Sequence, residues 1–223
     1  HLVRTFSLRK GDRIGLLFPN VVPFCELLLA AAKTGVVAVL LNSKLTAHEL
    51  SYMIGHSGCR LLFYDGAYEE KAGLLAERHP QLRCIRSTGA DGASAGQTLT
   101  YESVVGRQLP ITLTDAADEN DLCYLMYTSG TTGVPKGAVT LHRNVIHSAM
   151  NYHRVCGTTS GDTTIIAVPL FHVTGLIGQL IHMLMIGGTS VLLREYSTDA
   201  YIQAGVAHEV TFLFNVPAIY NML

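Results

Sequence analysis

The stretch Tyr127-Thr-Ser-Gly-Thr-Thr-Gly-Val-Pro-Lys-Gly137 is the most informative part of the sequence. It joins two predicted strands, at residues 122–127 and 138–140, and combines three glycines with four hydroxyl residues. Glycines let the main chain approach a ligand closely, and successive amides of such a loop form a nest for anions. A lysine adds a mobile positive charge suited to phosphate. The pattern therefore predicts a loop that binds polyphosphate through Thr128, Ser129, Gly130, Thr131, Thr132, Gly133, Pro135, Lys136 and Gly137.

Two common phosphate loops do not account for this spacing. A Walker A loop that began at Gly130 would need glycine at position 135, where Pro135 stands, and Ser or Thr where Gly137 stands. A dinucleotide-binding fingerprint would need glycine at the position of Thr132. An ordinary surface loop rich in Ser, Thr and Gly would not require the Pro-Lys-Gly ending, so a specific phosphate loop is the favoured interpretation.

On both sides of the loop, short apolar runs alternate with helical patterns. Predicted strands at residues 13–18, 36–41, 60–64 and 163–168 are separated by predicted helices, and a further strand is expected at residues 211–214. The spacing Thr46-Ala-His-Glu49 is typical of a capping box, which predicts a helix to about His56, ended by Gly58. This alternation predicts an α/β fold with largely parallel sheets flanked by helices.

An apolar stretch at residues 165–193 contains no Lys, Arg, Asp or Glu and is long enough to span a bilayer. However, Pro169, His172 and the pair Gly187-Gly188 divide it into short pieces. A strand, a helix and a second strand in a buried parallel sheet would have the same hydropathy. We therefore expect no transmembrane segment, while peripheral membrane contact stays open.

Charge and cysteine content narrow the class of protein further. Lys plus Arg is 16 and Asp plus Glu is 17, a net charge of −1, which disfavours nucleic acid as a partner. An apolar fraction of 48% excludes a disordered chain. The five cysteines are widely spaced without a C-x-x-C motif, and His142, His147 and His153 do not share one helix face. Disulfides and a zinc site are thus disfavoured, and a reducing, cytoplasmic location is predicted.

The phosphate loop resembles that of the adenylate-forming, AMP-binding superfamily, which includes acyl- and aryl-CoA synthetases and the adenylation domains of peptide synthetases. Other segments resemble conserved blocks of the same family in the same order, so that the resemblance covers essentially the whole chain. These segments are residues 10–20, 32–39, 41–50, 169–175 and 210–220. Small departures occur at Leu40, Ser43 and Thr140-Leu141, which we interpret as changes in packing and capping.

Family members are more than twice this length, and the resemblance implies that residues 1–223 are an incomplete N-terminal AMP-binding domain. We expect subregions at about 1–120 and 121–223, with the C-terminal domain that carries the catalytic lysine absent. The aromatic-Gly-hydroxyl-Glu block of the family cannot be placed here either. The resemblance thus implies that no complete catalytic set is present and that the isolated chain is inactive.

The resemblance implies a two-step reaction of an acid–thiol ligase. A small-molecule carboxylate attacks ATP to give an acyl-adenylate, and a thiol, expected to be coenzyme A, then takes the acyl group. Thr131 is the expected contact for Mg²⁺, although its usual glutamate partner is absent from the sequence.

The block Pro169-Leu-Phe-His-Val-Thr-Gly175 resembles the family's acyl pocket, which assigns His172, Val173, Thr174 and Gly175 to that pocket. Amino-acid-activating relatives place an aspartate directly after the phenylalanine, where this chain has His172, so a fatty or aromatic acid is favoured. A truncated module that only binds a nucleotide or a partner, and a peptide-synthetase adenylation domain, remain as alternatives. The oligomeric state and the identity of the acid are not specified by the sequence.

Overall fold

The computed structural model describes residues 2–87, 100–105, 116–128 and 134–223. The chain forms two compact units. The first comprises His1–Phe18 and Pro23–His142, and the second comprises Pro19–Val22 and Arg143–Leu223.

The first unit contains a six-stranded sheet with strand order β4-β3-β1-β2-β5-β6. All neighbouring strands from β4 to β5 pair in parallel, and only the edge strand β6 is antiparallel to its neighbour. The parallel strands connect through helices, whereas β5 and β6 form a hairpin. The strands are β1 Arg13–Leu17, β2 Val37–Leu40, β3 Leu61–Asp65, β4 Arg83–Ser87, β5 Leu122–Thr128 and β6 Lys136–Leu141.

Five described helices accompany this sheet: α1 Leu2–Phe6, α2 Val22–Thr34, α3 Ala47–Ser57, α4 Glu69–Arg78 and α5 Tyr101–Val105. Helix α3 begins with the predicted capping box, in which the Thr46 hydroxyl accepts from the Glu49 amide and the Glu49 carboxylate accepts from the Thr46 amide. It ends at Gly58, whose φ of 64° lies in the left-handed region that favours glycine. Both predicted ends of this helix are therefore confirmed.

Two inner strands of the first unit, β2 and β3, are buried along their whole length. Every residue of β2 and β3 is buried, as expected for parallel strands that are covered on both faces. Their side chains form a core with Leu17, Leu50 and Ile54, among others. The predicted α/β class with a largely parallel sheet is thus confirmed, and the buried apolar runs explain the apolar fraction of 48%.

The second unit contains a parallel pair of strands, β7 Thr163–Ile166 and β8 Thr189–Leu192. Between them lie a π-helix at Thr174–Ile181 and helix α7 at His182–Ile186. The predicted strand–helix–strand interpretation of residues 165–193 is therefore confirmed. In the part of the chain that the structure describes, no helix combines the length and apolar character needed to cross a membrane.

Three further helices complete the description: α6 His142–Cys156, α8 Thr198–Ala207 and α9 Pro217–Tyr220. A core cluster packs Ile165, Val168, Tyr201 and Ile219 together. The strand predicted at residues 211–214 is wrong in extent, because only an isolated parallel bridge between Phe212 and Thr164 forms there. The Phe212 and Phe214 rings of this segment stack on one another instead, with 6.3 Å between their centroids.

Candidate functional site

The β5–β6 hairpin presents both ends of the predicted phosphate loop. Its ladder runs from Leu122 opposite Leu141 to Thr128 opposite Lys136. Thr128 and Lys136 are exposed, while Pro135 and Gly137 are half-buried. The remaining predicted loop residues lie outside the described part of the chain: Ser129, Gly130, Thr131, Thr132 and Gly133.

The facing ends of β5 and β6, Thr128 and Lys136, lie at the carboxyl edge of the parallel sheet. Strand β5 runs parallel to β2, which in turn runs parallel to β1, so Thr128 lies at the edge where these strands end. In open α/β sheets, ligands bind outside the carboxyl ends of the strands. The position of the loop therefore agrees with a ligand-binding role.

A cavity of about 250 Å³ lies at the opposite, amino edge of the same sheet. Its charged lining residues are engaged within the protein. Lys10 pairs with Asp121 at 2.7 Å, and the Arg13 guanidinium donates to the carbonyl oxygens of Ser57 and Gly58. This arrangement indicates a structural role for these charges.

The predicted acyl-pocket block, residues 169–175, follows strand β7. His172 and Val173 are exposed, Thr174 is half-buried and Gly175 is buried. A Cβ on Gly175 would lie 2.5 Å from the carbonyl oxygen of Val168, so the close approach of the two backbone segments requires glycine there. The exposed His172 imidazole lies against the buried Phe171 ring, with 4.7 Å between the ring centroids.

Asn20 fixes the backbone that leads into this block. Its Nδ2 donates to the carbonyl oxygens of Ile166 and Val168, each at 3.1 Å, and its Oδ1 accepts from the Leu170 amide at 2.9 Å. The Asn20 side chain is buried, and its amide group satisfies the Val168 carbonyl and the Leu170 amide in the interior. It also adds a second donor to the Ile166 carbonyl, which accepts from the Leu193 amide as well. The segment that carries His172 thus starts from a defined backbone position.

Buried polar side chains anchor the helix that follows. Gln179 Nε2 donates to the Ile165 carbonyl at 2.6 Å. The Gly178 carbonyl can only accept, so the Nδ1–H of His182 donates to it at 3.1 Å, and the Thr158 hydroxyl donates to Nε2 at 2.7 Å. Burial lowers the pKa of His182, while the bond to Gly178 opposes this shift and the charge of His153 adds to it. The neutral imidazole is therefore favoured, and His182 has a structural role.

Four of the five described cysteines are poor candidates for a nucleophile, and the fifth, Cys156, is exposed at the end of α6. Burial raises the pKa of Cys25 and Cys59 to about 12. It raises that of Cys84 and Cys123 to about 11. The thiolate is the reactive form, so these four thiols are inert at neutral pH.

Within residues 2–87, 100–105, 116–128 and 134–223, no three histidine, cysteine, aspartate or glutamate side chains form a group that could hold a metal ion.

The whole chain, residues 1–223, matches the family model described as AMP-binding enzyme. A feruloyl-CoA synthase from an Amycolatopsis species is 30% identical over 230 residues, which cover 99% of this chain and 42% of the relative. A long-chain-fatty-acid–CoA ligase from Mycobacterium tuberculosis is 30% identical over 225 residues, with 100% and 42% of the two chains covered. The chain thus spans less than half the length of these relatives.

A solved structure shares both the fold and part of the sequence. It is the O-succinylbenzoate coenzyme A synthetase from Bacillus subtilis in complex with ATP and magnesium ion. The TM-score is 0.81 at 30% identity, and the match covers 98% of this chain and 42% of that one. The fold described above is therefore that of an enzyme whose structure contains a bound nucleotide.

Proposed function

The chain belongs to the AMP-binding enzyme family, and from this membership we propose that it is part of an ATP-dependent acid–CoA ligase. It would supply the phosphate loop and part of the acyl pocket. The observation that carries the proposal is the β5–β6 hairpin, which brings the exposed Thr128 and Lys136 side by side at the carboxyl edge of the parallel sheet. Two relatives at 30% identity are named as enzymes that join an acid to CoA, and this supports the same overall chemistry here.

In the proposed first step, a carboxylate oxygen of the substrate attacks the α-phosphorus of ATP. The bond to the bridging oxygen breaks, and pyrophosphate leaves with both electrons of that bond. Lys136 and the loop amides would neutralise charge on the β- and γ-phosphates, because such transfer depends mainly on positioning and charge stabilisation. In the second step, the thiol of coenzyme A gives up its proton to solvent and its sulfur attacks the acyl carbonyl. The bond between the acyl carbon and the phosphate oxygen breaks, and AMP leaves with both electrons of that bond.

Magnesium would neutralise phosphate charge when it is bound. The hydroxyl oxygens of the loop suit this cation, which prefers hard oxygen ligands. Thr131 is our proposed protein contact, and the exposed Thr128 hydroxyl lies at the entrance to the same loop. No carboxylate occurs between residues 127 and 137, so the loop itself would offer the cation only hydroxyl and carbonyl oxygens.

The proposed substrate is a fatty or aromatic acid held near His172, Val173, Thr174 and Gly175. His172 is exposed beside a buried phenylalanine and supplies no negative charge for the ammonium of an amino acid. The names of the two relatives include one aromatic and one long-chain acid, which supports this range. A cytoplasmic location stays a prediction from the sequence.

ATP–pyrophosphate exchange tests this proposal. The chain and any longer protein that contains it are assayed with benzoate, ferulate, octanoate and palmitate, with alanine and phenylalanine as amino-acid controls. We expect exchange in the longer protein with at least one of the four acids and loss of that exchange in Lys136→Ala. Exchange with an amino acid alone would contradict the substrate class, and ATP binding without any exchange would favour a nucleotide-binding module.

A further inference from the structure

Tyr127, the residue before the phosphate loop, is held by helix α3. Its hydroxyl lies 3.3 Å from the carbonyl oxygen of Met53 and 2.8 Å from Nδ1 of His56. The Met53 carbonyl can only accept, so a hydroxyl that donates to it leaves the His56 Nδ1–H as the donor of the second bond. One phenol group thus joins the start of the loop to two successive turns of α3.

The same tyrosine also contacts the other end of the loop. Tyr127 lies opposite Gly137 in the ladder of β5 and β6. A Cβ on Gly137 would lie 3.4 Å from Cζ of Tyr127, so the ring passes over the glycine at van der Waals distance. Tyr127 therefore contacts Gly137, the residue after Lys136. Tyr127 itself is the residue before Thr128.

Helix α3 offers a rigid support for this contact. It is capped at both ends, and Leu50, Met53 and Ile54 are buried in the core. The His56 ring meets the Tyr127 ring edge to face at a centroid distance of 5.8 Å, and it stacks on Tyr52 at 5.4 Å. The donor nitrogen of His56 is thus fixed by two neighbouring rings as well as by its own helix.

We propose that Tyr127 and His56 are positioning residues that hold the two ends of the phosphate loop in the geometry that receives ATP. This inference rests on the proposed function of the loop. A loop whose ends are fixed before binding loses less conformational entropy when phosphates order it, and this increases affinity without a direct contact to the ligand. Burial raises the pKa of Tyr127, so its hydroxyl keeps the proton at neutral pH.

A purely structural role would make Tyr127 equivalent to other tyrosines with hydrogen bonds in the same unit. Tyr64 provides the matched control, because its hydroxyl donates to the Glu69 carboxylate at 3.0 Å on a neighbouring part of the sheet. His48 provides the control for His56, because it is an exposed histidine of the same helix. Tyr64→Phe and His48→Ala therefore measure how much ATP affinity and thermal stability change when a tyrosine hydroxyl or a histidine ring is removed elsewhere in the same unit.

The test measures the affinity for Mg²⁺–ATP by calorimetry and the midpoint of thermal unfolding for the same proteins. We expect Tyr127→Phe and His56→Ala each to weaken ATP binding about five-fold, the equivalent of one hydrogen bond. The double variant should lose less affinity than the two single losses combined, since both variants remove the shared bond between Tyr127 and His56. His56→Asn, whose amide nitrogen can replace Nδ1 as the donor, should restore part of the affinity.

The outcomes separate this inference from the proposed function. Wild-type binding together with unchanged affinity in Tyr127→Phe would overturn the positioning role alone. Equal losses of affinity in Tyr64→Phe and Tyr127→Phe would overturn it too, because the effect would then follow stability. If the wild-type chain did not bind ATP at all, the proposed loop function and this inference would both fall.

Discussion

Thr128 and Lys136 face one another as a register pair in the antiparallel ladder between β5 and β6. In such ladders, paired Cα atoms lie about 5 Å apart, so the loop begins and ends at almost the same point. The side chains of Thr128 and Lys136 are therefore neighbours at the edge of the sheet. This relationship makes the charge of Lys136 a direct test of the loop.

Replacement of Lys136 by alanine should weaken ATP binding about 10- to 100-fold, because a charge-assisted hydrogen bond to phosphate is lost. Lys136→Arg, which keeps the charge in a different geometry, should lose less affinity. Lys33→Ala serves as the control, since Lys33 is an exposed lysine in the last turn of α2. Calorimetry at two salt concentrations gives the measurement, and equal affinities for Lys136→Ala and Lys33→Ala would contradict the assignment.

Replacement of Asn20 by alanine should lower the free energy of unfolding by about 2–4 kcal/mol, because the buried Val168 carbonyl and the Leu170 amide lose their partner. Asn20→Asp should cost at least as much, since a carboxylate would face the carbonyls of Ile166 and Val168. Urea unfolding gives the comparison with Asn42→Ala, which removes one exposed bond to the Lys44 amide. A smaller loss in Asn20→Ala than in Asn42→Ala would contradict the role of Asn20.

Two glycines should respond to alanine in opposite directions. A Cβ on Gly178 would lie 2.7 Å from Cε1 of Phe214, so Gly178→Ala should destabilise the protein by about 1–3 kcal/mol. A Cβ on Gly73, inside α4, would meet nothing within 4 Å, so Gly73→Ala should stabilise by about 0.5–1 kcal/mol. Thermal unfolding measures both changes, and Phe214→Leu should recover part of the loss in the Gly178→Ala background. Stabilisation by Gly178→Ala would show that the ring is free to move away.

The buried imidazole of His182 should make stability depend on pH. Burial lowers its pKa below the ordinary value of 6.5, so the unfolded chain binds this proton more readily than the folded chain. The contribution of neutral His182 is fully present above about pH 6.5 and is lost as the pH falls below that value. Urea unfolding between pH 5 and pH 8 should show a smaller decrease for His182→Gln than for the wild type. Parallel pH profiles for the two proteins would contradict this prediction.

Features that depend on nearby residues were predictable from the sequence. The capping box of Thr46 and Glu49 and the glycine that ends α3 form within a few residues of one another, so spacing alone identifies them. The interrupted apolar stretch was likewise interpretable, because proline and paired glycines divide it into elements of the right length. Parallel strands that are buried on both faces leave a continuous apolar run in the sequence.

Features that depend on distant residues were not predictable. The amide of Asn20 meets Leu170, a residue 150 positions away, and no local pattern indicates that pairing. Tyr127 opens the phosphate-loop stretch at residues 127–137, yet its partner His56 is 71 positions away on α3. The glycines and hydroxyl residues of the loop indicate phosphate binding from the sequence alone. The role of the Tyr127 hydroxyl becomes visible only in the folded chain. The π-helical winding at Thr174–Ile181 also had no sequence signal, since its apolar periodicity resembles that of an ordinary helix.

The π-helical winding at Thr174–Ile181 offers a simple way for related sequences to differ in the proposed acid-binding residues. The later part of the segment is anchored by Gln179 and His182, whereas its earlier part leads back to Thr174 and His172. Loss of one residue before Gln179 would let the backbone relax to α-helical winding and rotate the preceding side chains by about 100° around the axis. A single deleted codon could thus change the direction of the side chains that are proposed to contact the acid. The part anchored by Gln179 and His182 would keep its place in the core.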